Sequence, residues 1–360
     1  MKINNTAYHT IWEKDLHTIC IIDQRPLPHY FVIEELKNLQ DACDAIQQMH
    51  VRGAPLIGVT AAYGFYLGLL SDKSLSYDEI ASRLKATRPT AVDLQWAVDQ
   101  ILIAISQCDS KKECQSIALR MSRNFKQLSI DACKSIGKFG LEIIKELGAH
   151  KDGPVNILTH CNAGWMACID YGTATAPIYM AHQAGIDVHV WVDETRPRNQ
   201  GARITAFELL EEGIAHTVIP DNTGGHLMQH GMVDMVIVGT DRTTRCGDVG
   251  NKIGTYLKAL AAYDNEIPFY VAAPSSSIDW NIRDGLKEIP IEERNADEIR
   301  FIQGWEDDSI KQVLITPKDS PTINYGFDVT PAKYVTGIIT ERGIANANEE
   351  SLLSLFPEQA

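Results

Sequence analysis

Positive charge is scarce in this chain. Its 33 Lys and Arg residues are outnumbered by 47 Asp and Glu, giving a formal net charge of -14 over 360 residues. Such a surface repels a phosphate backbone, which argues against nucleic-acid binding and obliges any anionic ligand to find a local basic pocket. No apolar run approaches the roughly 18 residues that span a bilayer. The opening MKINNTAYHTIWEKD lacks the charged-then-apolar layout of a secretion signal, so a cytoplasmic address is expected. The eight cysteines contain no C-x-x-C pair, which removes the common zinc spacings, and in a reducing cytosol most are expected as free thiols. No G-x-G-x-x-G follows a strand and no G-x-x-x-x-G-K-[ST] occurs, so neither a dinucleotide fingerprint nor a P-loop is present. His182, His189, His216, His226 and His230 show no metal-ligand pattern, and only His226 falls near a candidate site. Low-complexity segments and internal repeats are absent.

What is there is an ordinary globular composition, 44% hydrophobic, long enough for two domains. Residues 8–36 carry short β-branched and aromatic runs (TICIID, YFVIEEL) that suit a small sheet. DACDAIQQMHVRGAPLIGVTAAYGFYLGLL reads as two helices joined by a turn at Arg52-Gly53-Ala54-Pro55. Residues 77–148 show three-four apolar spacing, the pattern of helices. Lys151-Asp152-Gly153-Pro154 is the clearest boundary. Beyond it, VNILTH, DVHVWVD, HTVIP, DMVIVGTD and PFYVAAP alternate with helical stretches. Continuous apolar strands separated by helices imply a parallel sheet covered on both faces. The expected fold is therefore α/β: a mostly helical first domain with a small β-sheet over residues 1–150, then a doubly wound, Rossmann-like domain over residues 151–360.

Ligands of such sheets bind beyond the carboxyl ends of the strands. Cys161, in ILTHCNAG, sits at a strand-to-helix junction, where thiol pKa values fall; it is equally readable as a small buried hydrophobe. His160 is not expected to pair with it, because successive strand residues point to opposite faces. Asp241 closes the run MVIVGT, where desolvation raises a carboxyl pKa and suits a proton donor; a helix N-cap is the plainer alternative. Asn251 and Lys252, in CGDVGNKIG, read as the opening of a helix able to take a phosphate, or as a capped start with a solvated lysine. DETRPRNQGARITAFELL gathers three arginines and Gln200 as a phosphate and hydroxyl site or a surface charge network. Arg52 and Arg88 are the other rigidly placed arginines.

Taken together, RGAPLIGVTAAYG, RPTAVDLQWA, ILTHCNAG, DETRPRNQGARITAFEL, VIVGTDR, GDVGNKIGTY, PFYVAAP, IPIEER and FDVTPAKYVTGIITERG resemble, in order and spacing, the methylthioribose-1-phosphate isomerases of methionine salvage, over residues 52–343. The resemblance implies a homodimeric aldose–ketose isomerase in L-methionine biosynthesis, acting on a sugar 1-phosphate with no metal or nucleotide cofactor. It places the catalytic residues at Cys161 and Asp241, and substrate contacts at Arg52, Gly53, Ala54, Arg88, Gln200, Asn251 and Lys252. On this reading Asp241 donates to the ring oxygen, and Cys161 is the base or the neighbour of a hydride shift. Arg52, Arg88, Lys252 and a helix end hold the phosphate.

The chain departs from that pattern with Asp93 for Asn, Thr240 for Ala, Thr223-Gly224-Gly225 in place of bulkier apolar residues, and Cys168 and Cys246. A polar, roomier wall at Thr240 and Gly224-Gly225 suits 5-deoxyribose 1-phosphate as an alternative substrate, since one apolar contact shifts preference by only about 1–3 kcal/mol. The rival classes are a non-enzymatic regulatory subunit like the α, β and δ subunits of translation initiation factor 2B, and a ribose-1,5-bisphosphate isomerase. The second would need a further basic site.

Overall fold

The computed structural model describes residues 1–71, 74–88 and 92–360. The early β-branched runs pair as expected: Ile11–Asp15, Thr18–Asp23 and Val32–Leu36 form a three-stranded antiparallel sheet. Five helices follow, Leu39–Gln47, Ala54–Ser71, Tyr77–Thr87, Val92–Ile105 and Lys111–Gly148. Side chains fix their starts. Asn38 accepts from the Asp41 N–H, and Ser76 with Glu79 forms a reciprocal capping box that satisfies two orphan donors.

Helix Ala54–Ser71 corrects one expectation. It is long and apolar enough to cross a membrane, against the expectation that no run approaches that length. Residues 56–69 are all buried, however, packed within an apolar cluster that draws on the neighbouring helices. A helix apolar all round has no wet face and belongs inside a core. Six cysteines are free and Cys108 is bonded to Cys114, so the expectation of mostly free thiols holds for the six.

From Val155 onward the chain builds a seven-stranded sheet in the order Gly343–Ala345, Gly337–Thr340, Phe269–Ala272, Met235–Val238, Val155–Thr159, Val188–Asp193, His216–Ile219. All neighbours are parallel except the pair at the Gly343–Ala345 edge. Alternate residues serve opposite faces. Ile157, Met235, Ile237 and Ile339 enter one apolar cluster, while Leu158, Val236, Val238 and Ile338 enter another. Both faces are thus covered, which is why the strands read as unbroken apolar runs.

The order matters for function. The chain winds outward from Val155–Thr159 to one edge, then crosses back to Met235–Val238 and winds to the other. The strands flanking this reversal carry Cys161 and Asp241 just past their carboxyl ends, at the topological switch point where ligands of such sheets lodge. A second, four-stranded sheet of Ile278–Asp279, Arg242–Thr244, Val249–Lys252 and Phe327–Thr330 stands beside it.

Candidate active site

Strand Val155–Thr159 hands over to Cys161 through a backbone turn that L-residues seldom adopt. Cys161 has φ of 66°, a left-handed conformation that costs about 1–2 kcal/mol for a residue with a Cβ. Two hydroxyls hold it there. The Cys161 N–H donates to Thr195 Oγ1 at 2.9 Å, and Thr205 Oγ1 donates to the Cys161 carbonyl at 2.7 Å. Thr195 is itself fixed, its hydroxyl donating to the Asp193 carbonyl and its N–H to Asp221.

His160 lines the same pocket but does not pair with the thiol. Its Nδ1 lies 2.8 Å from Asp193 Oδ2 and its Nε2 lies 2.8 Å from the Ile253 carbonyl. His160, Asp193 and Asp221 approach one another closely enough to chelate an ion. Lys258 supplies the positive charge instead, with Nζ 3.1 Å from Asp193 Oδ2 and a further hydrogen bond to the Asp221 carbonyl.

Across the switch point, Asp241 is anchored by its N–H donating to the Gly250 carbonyl at 3.0 Å. Burial pushes its carboxyl above the usual carboxylate range, while Lys252, Arg88 and Arg52 pull it down. Burial also raises the Cys161 thiol, opposed by Lys252 and Arg52. Both groups are therefore biased toward their neutral, protonated forms, with the same cations nearby.

All nine residues singled out in the sequence line one pocket: Arg52, Gly53, Ala54, Arg88, Cys161, Gln200, Asp241, Asn251 and Lys252. Arg52 enters from the first helical segment and grips the residue after the cysteine, donating to the Asn162 carbonyl at 3.1 Å and to Asn162 Oδ1. Its Nε is buried without a partner, as are Nε and Nη1 of Arg88 and Oε1 of Gln200. Unpaired buried donors on two arginines are costly in isolation and suit an anion. Gly53 leaves room where a Cβ would overlap the Ala167 backbone.

Several local readings change. Asn251 and Lys252 do not open a helix; they end strand Val249–Lys252, which pairs with Phe327–Thr330. The helix starts at Thr255, and the Gly254 and Tyr256 N–H groups donate to the Asp328 carboxylate at 2.7 and 3.2 Å. That helix end is already filled by an anion, so it is no phosphate site. Lys252 donates to the Gly326 carbonyl and lies over the Phe327 ring, 4.7 Å from its centroid.

Thr240 does line the pocket, but Gly224 and Gly225 do not. A Cβ on Gly224 would crowd Leu158, so these glycines let helix Thr223–Gln229 pack closely. The His226 ring lies 4.2 Å from that of His230, tilted by 45°, and is not part of the pocket lining. Of the departing cysteines, Cys168 lines the pocket and Cys246 does not. In the arginine-rich loop only Gln200 reaches it; Arg198 pairs with Glu298 and Arg203 donates to backbone carbonyls.

Reasoning from sequence assigned no role to Asn162, Thr195, Thr205 or Glu208. Glu208 is fully buried, accepting from the Met166 N–H at 2.7 Å and the Tyr179 hydroxyl at 3.0 Å. Burial pushes its carboxyl up to about 7 against those bonds. The available signal was an acid inside an apolar helical run, AFELL.

The profile of the Initiation factor 2 subunit family matches residues 50–347. The chain belongs to this family. Within it, a methylthioribose-1-phosphate isomerase of Paramagnetospirillum magneticum is 57% identical to this chain over the full length of both. The crystal structure of 5-methylthioribose 1-phosphate isomerase from Pyrococcus horikoshii OT3 superposes with a TM-score of 0.84 at 36% identity, covering 99% of this chain and 100% of that one. A family member of another kind, translation initiation factor eIF-2B subunit delta from A. fulgidus, superposes with a TM-score of 0.79 at 34% identity, covering 98% and 100%.

Proposed function

We propose that this protein is an aldose–ketose isomerase of methionine salvage that converts 5-methylthioribose 1-phosphate to 5-methylthioribulose 1-phosphate. The observation that carries the reading is the convergence of Cys161 and Asp241, both partly buried and both pushed toward their protonated forms, with Arg52, Arg88 and Lys252 in one pocket at the switch point of the sheet. Isomerase relatives matching the whole chain support it.

The phosphate on the anomeric oxygen locks the furanose, so the ring must be opened by the enzyme. Asp241, its carboxyl raised by burial, donates its proton to the ring oxygen as the C1–O bond breaks. The C2 hydrogen then moves to C1 and the 2-hydroxyl releases its proton, leaving a C2 ketone and restoring the acid. Cys161 serves either as base for the C2 proton or as neighbour of a C2-to-C1 hydride shift. Burial keeps the thiol neutral, which favours the hydride route over a resting thiolate. Arg52, Arg88 and Lys252, with Gln200, Asn251 and the backbone N–H groups of Gly53 and Ala54 at the helix start, hold the phosphate and hydroxyls. No metal or nucleotide enters these steps. The working assembly is a homodimer of two-domain chains divided near residue 150.

The test is a side-by-side assay with 5-methylthioribose 1-phosphate, 5-deoxyribose 1-phosphate and ribose 1,5-bisphosphate, on the wild type and on Cys161→Ser. Turnover of the methylthio sugar, lost in the variant with unchanged circular dichroism, is the expected result. Failure with all three sugars would leave a regulatory subunit as the better reading. A preference for the deoxy sugar would assign the Thr240 wall, with its hydroxyl bonded to the Gly250 carbonyl at 3.2 Å, to that substrate.

A further inference from the structure

Beside the strand-end pocket lies a second cavity of about 740 Å³, within the range of small-molecule sites. The two share Pro55 and Pro274 in their walls. Trp96 and Phe125, with ring centroids 4.9 Å apart, come from helices Val92–Ile105 and Lys111–Gly148. Trp280 and Phe356, 5.4 Å apart, come from the second half of the chain. Two aromatic pairs from distant parts of the sequence therefore line one space.

The charge in this cavity is of one sign. Its described lining includes Asp93, Asp131, Asp279, Glu341 and Glu358 and no Lys, Arg or His. Four of these acids are already answered. Asp131 accepts from Gln127, Asp279 faces Arg242 at 3.6 Å, Glu341 accepts from the Ser275 N–H at 3.0 Å, and Glu358 pairs with Arg342 at 2.7 Å. Asp93 is different: it is only 6% exposed, and its Oδ2 has no hydrogen-bond partner. Burial pushes its carboxyl up to about 6, partly offset by Ser276. Ser129 Oγ, also without a partner, lines the same cavity. A buried carboxylate oxygen with nothing to bond is costly unless a cation reaches it, and aromatic faces attract the same cations.

We propose that this cavity is a binding site for a small organic cation, an ammonium head carried on an apolar body, with the head at Asp93 and the body among Trp96, Phe125, Trp280 and Phe356. Its ligand is opposite in charge to the sugar phosphate of the neighbouring pocket. Trp96, 46% exposed, and Leu128, 53% exposed, form the entrance from solvent.

Titration calorimetry of the full chain with phenethylammonium tests this, with phenethyl alcohol and 3-phenylpropionate as neutral and anionic probes of the same size. The cation is expected to bind at least about tenfold tighter than the alcohol, and the carboxylate not at all. Asp93→Asn should bring the cation down to the alcohol's affinity. Leu128→Lys, at the exposed rim and outside the core, should weaken it in the same direction even if Asp93→Asn disturbs folding. Equal binding of cation and alcohol, no cation binding at millimolar concentration, or unchanged affinity in a folded Asp93→Asn variant would overturn the assignment.

Discussion

Replacing Asp241 by Asn keeps the shape of the side chain beyond strand Met235–Val238 and removes only the transferable proton. If Asp241 opens the ring, kcat falls by about 10² to 10⁴, the usual worth of a general acid. At 1.36 kcal/mol per decade this is about 3–5 kcal/mol of barrier. KM changes little, because Arg52, Arg88 and Lys252 stay in place. Stability moves the other way. The folded carboxyl is raised above its unfolded value by burial, so its contribution is fully present below the unfolded pKa and is lost as pH rises through the folded one. Asparagine suffers no such loss, so the variant should melt at or above the wild-type temperature at pH 8 and match it near pH 4. The same titration shapes the wild-type rate, which should fall as pH climbs through a limb lying above the ordinary carboxylate range. Steady-state kinetics from pH 4 to pH 9, with thermal melts of both proteins, measures all of this. A kcat within tenfold of wild type, or lost activity accompanied by a lower melting temperature at pH 8, would refute the reasoning.

Three further outcomes follow from the same geometry. Arg52→Lys loses the two-pronged grip on Asn162 because an ammonium cannot fork; KM should rise about tenfold in the isomerase assay, and an unchanged KM would remove Arg52 from substrate binding. Glu208→Gln should flatten the pH dependence of stability: the wild type loses on the order of 3 kcal/mol as pH rises from about 5 through 7, since the buried carboxyl titrates near 7 rather than 4.5, and urea unfolding at pH 5 and pH 8.5 checks it. Lys258→Met leaves the Asp193 carboxylate, 0% exposed, with His160 as its remaining side-chain partner, which should cost up to about 3–5 kcal/mol; adding Asp193→Asn should restore part of it, and a fully stable single variant would show that the ammonium is dispensable.

Much of the fold was readable because its signals are local. Five of the seven sheet strands announced themselves as apolar runs, and their carboxyl ends carried the polar residues that line the pocket. Strand Gly337–Thr340 contributes only GIIT, too short and too close to glycine to stand out beside helical segments of the same composition. The reading of Asn251 and Lys252 failed for another reason. Val249–Lys252 is held on one side by Arg242–Thr244 in a short antiparallel hairpin and on the other by Phe327–Thr330, some 75 positions on, and no property of GNKIG reports the distant partner. Gly224 and Gly225 were misplaced because small residues look alike whether they widen a pocket or seat a helix. Asn162, Thr195 and Thr205 escaped because their work is to fix backbone, and hydroxyls and amides that do so have no periodicity.

The two threonines that clasp Cys161 also set folding against chemistry at that position. A glycine there would adopt the same left-handed turn without steric cost, so Cys161→Gly should yield a chain as stable as the wild type or about 1 kcal/mol more so, and catalytically silent. The pocket would then be held together by every bond that now surrounds it, with only the sulfur gone. The strain at φ of 66° is thus a fixed aim: the side chain leaves the backbone along a direction that Thr195 and Thr205 choose.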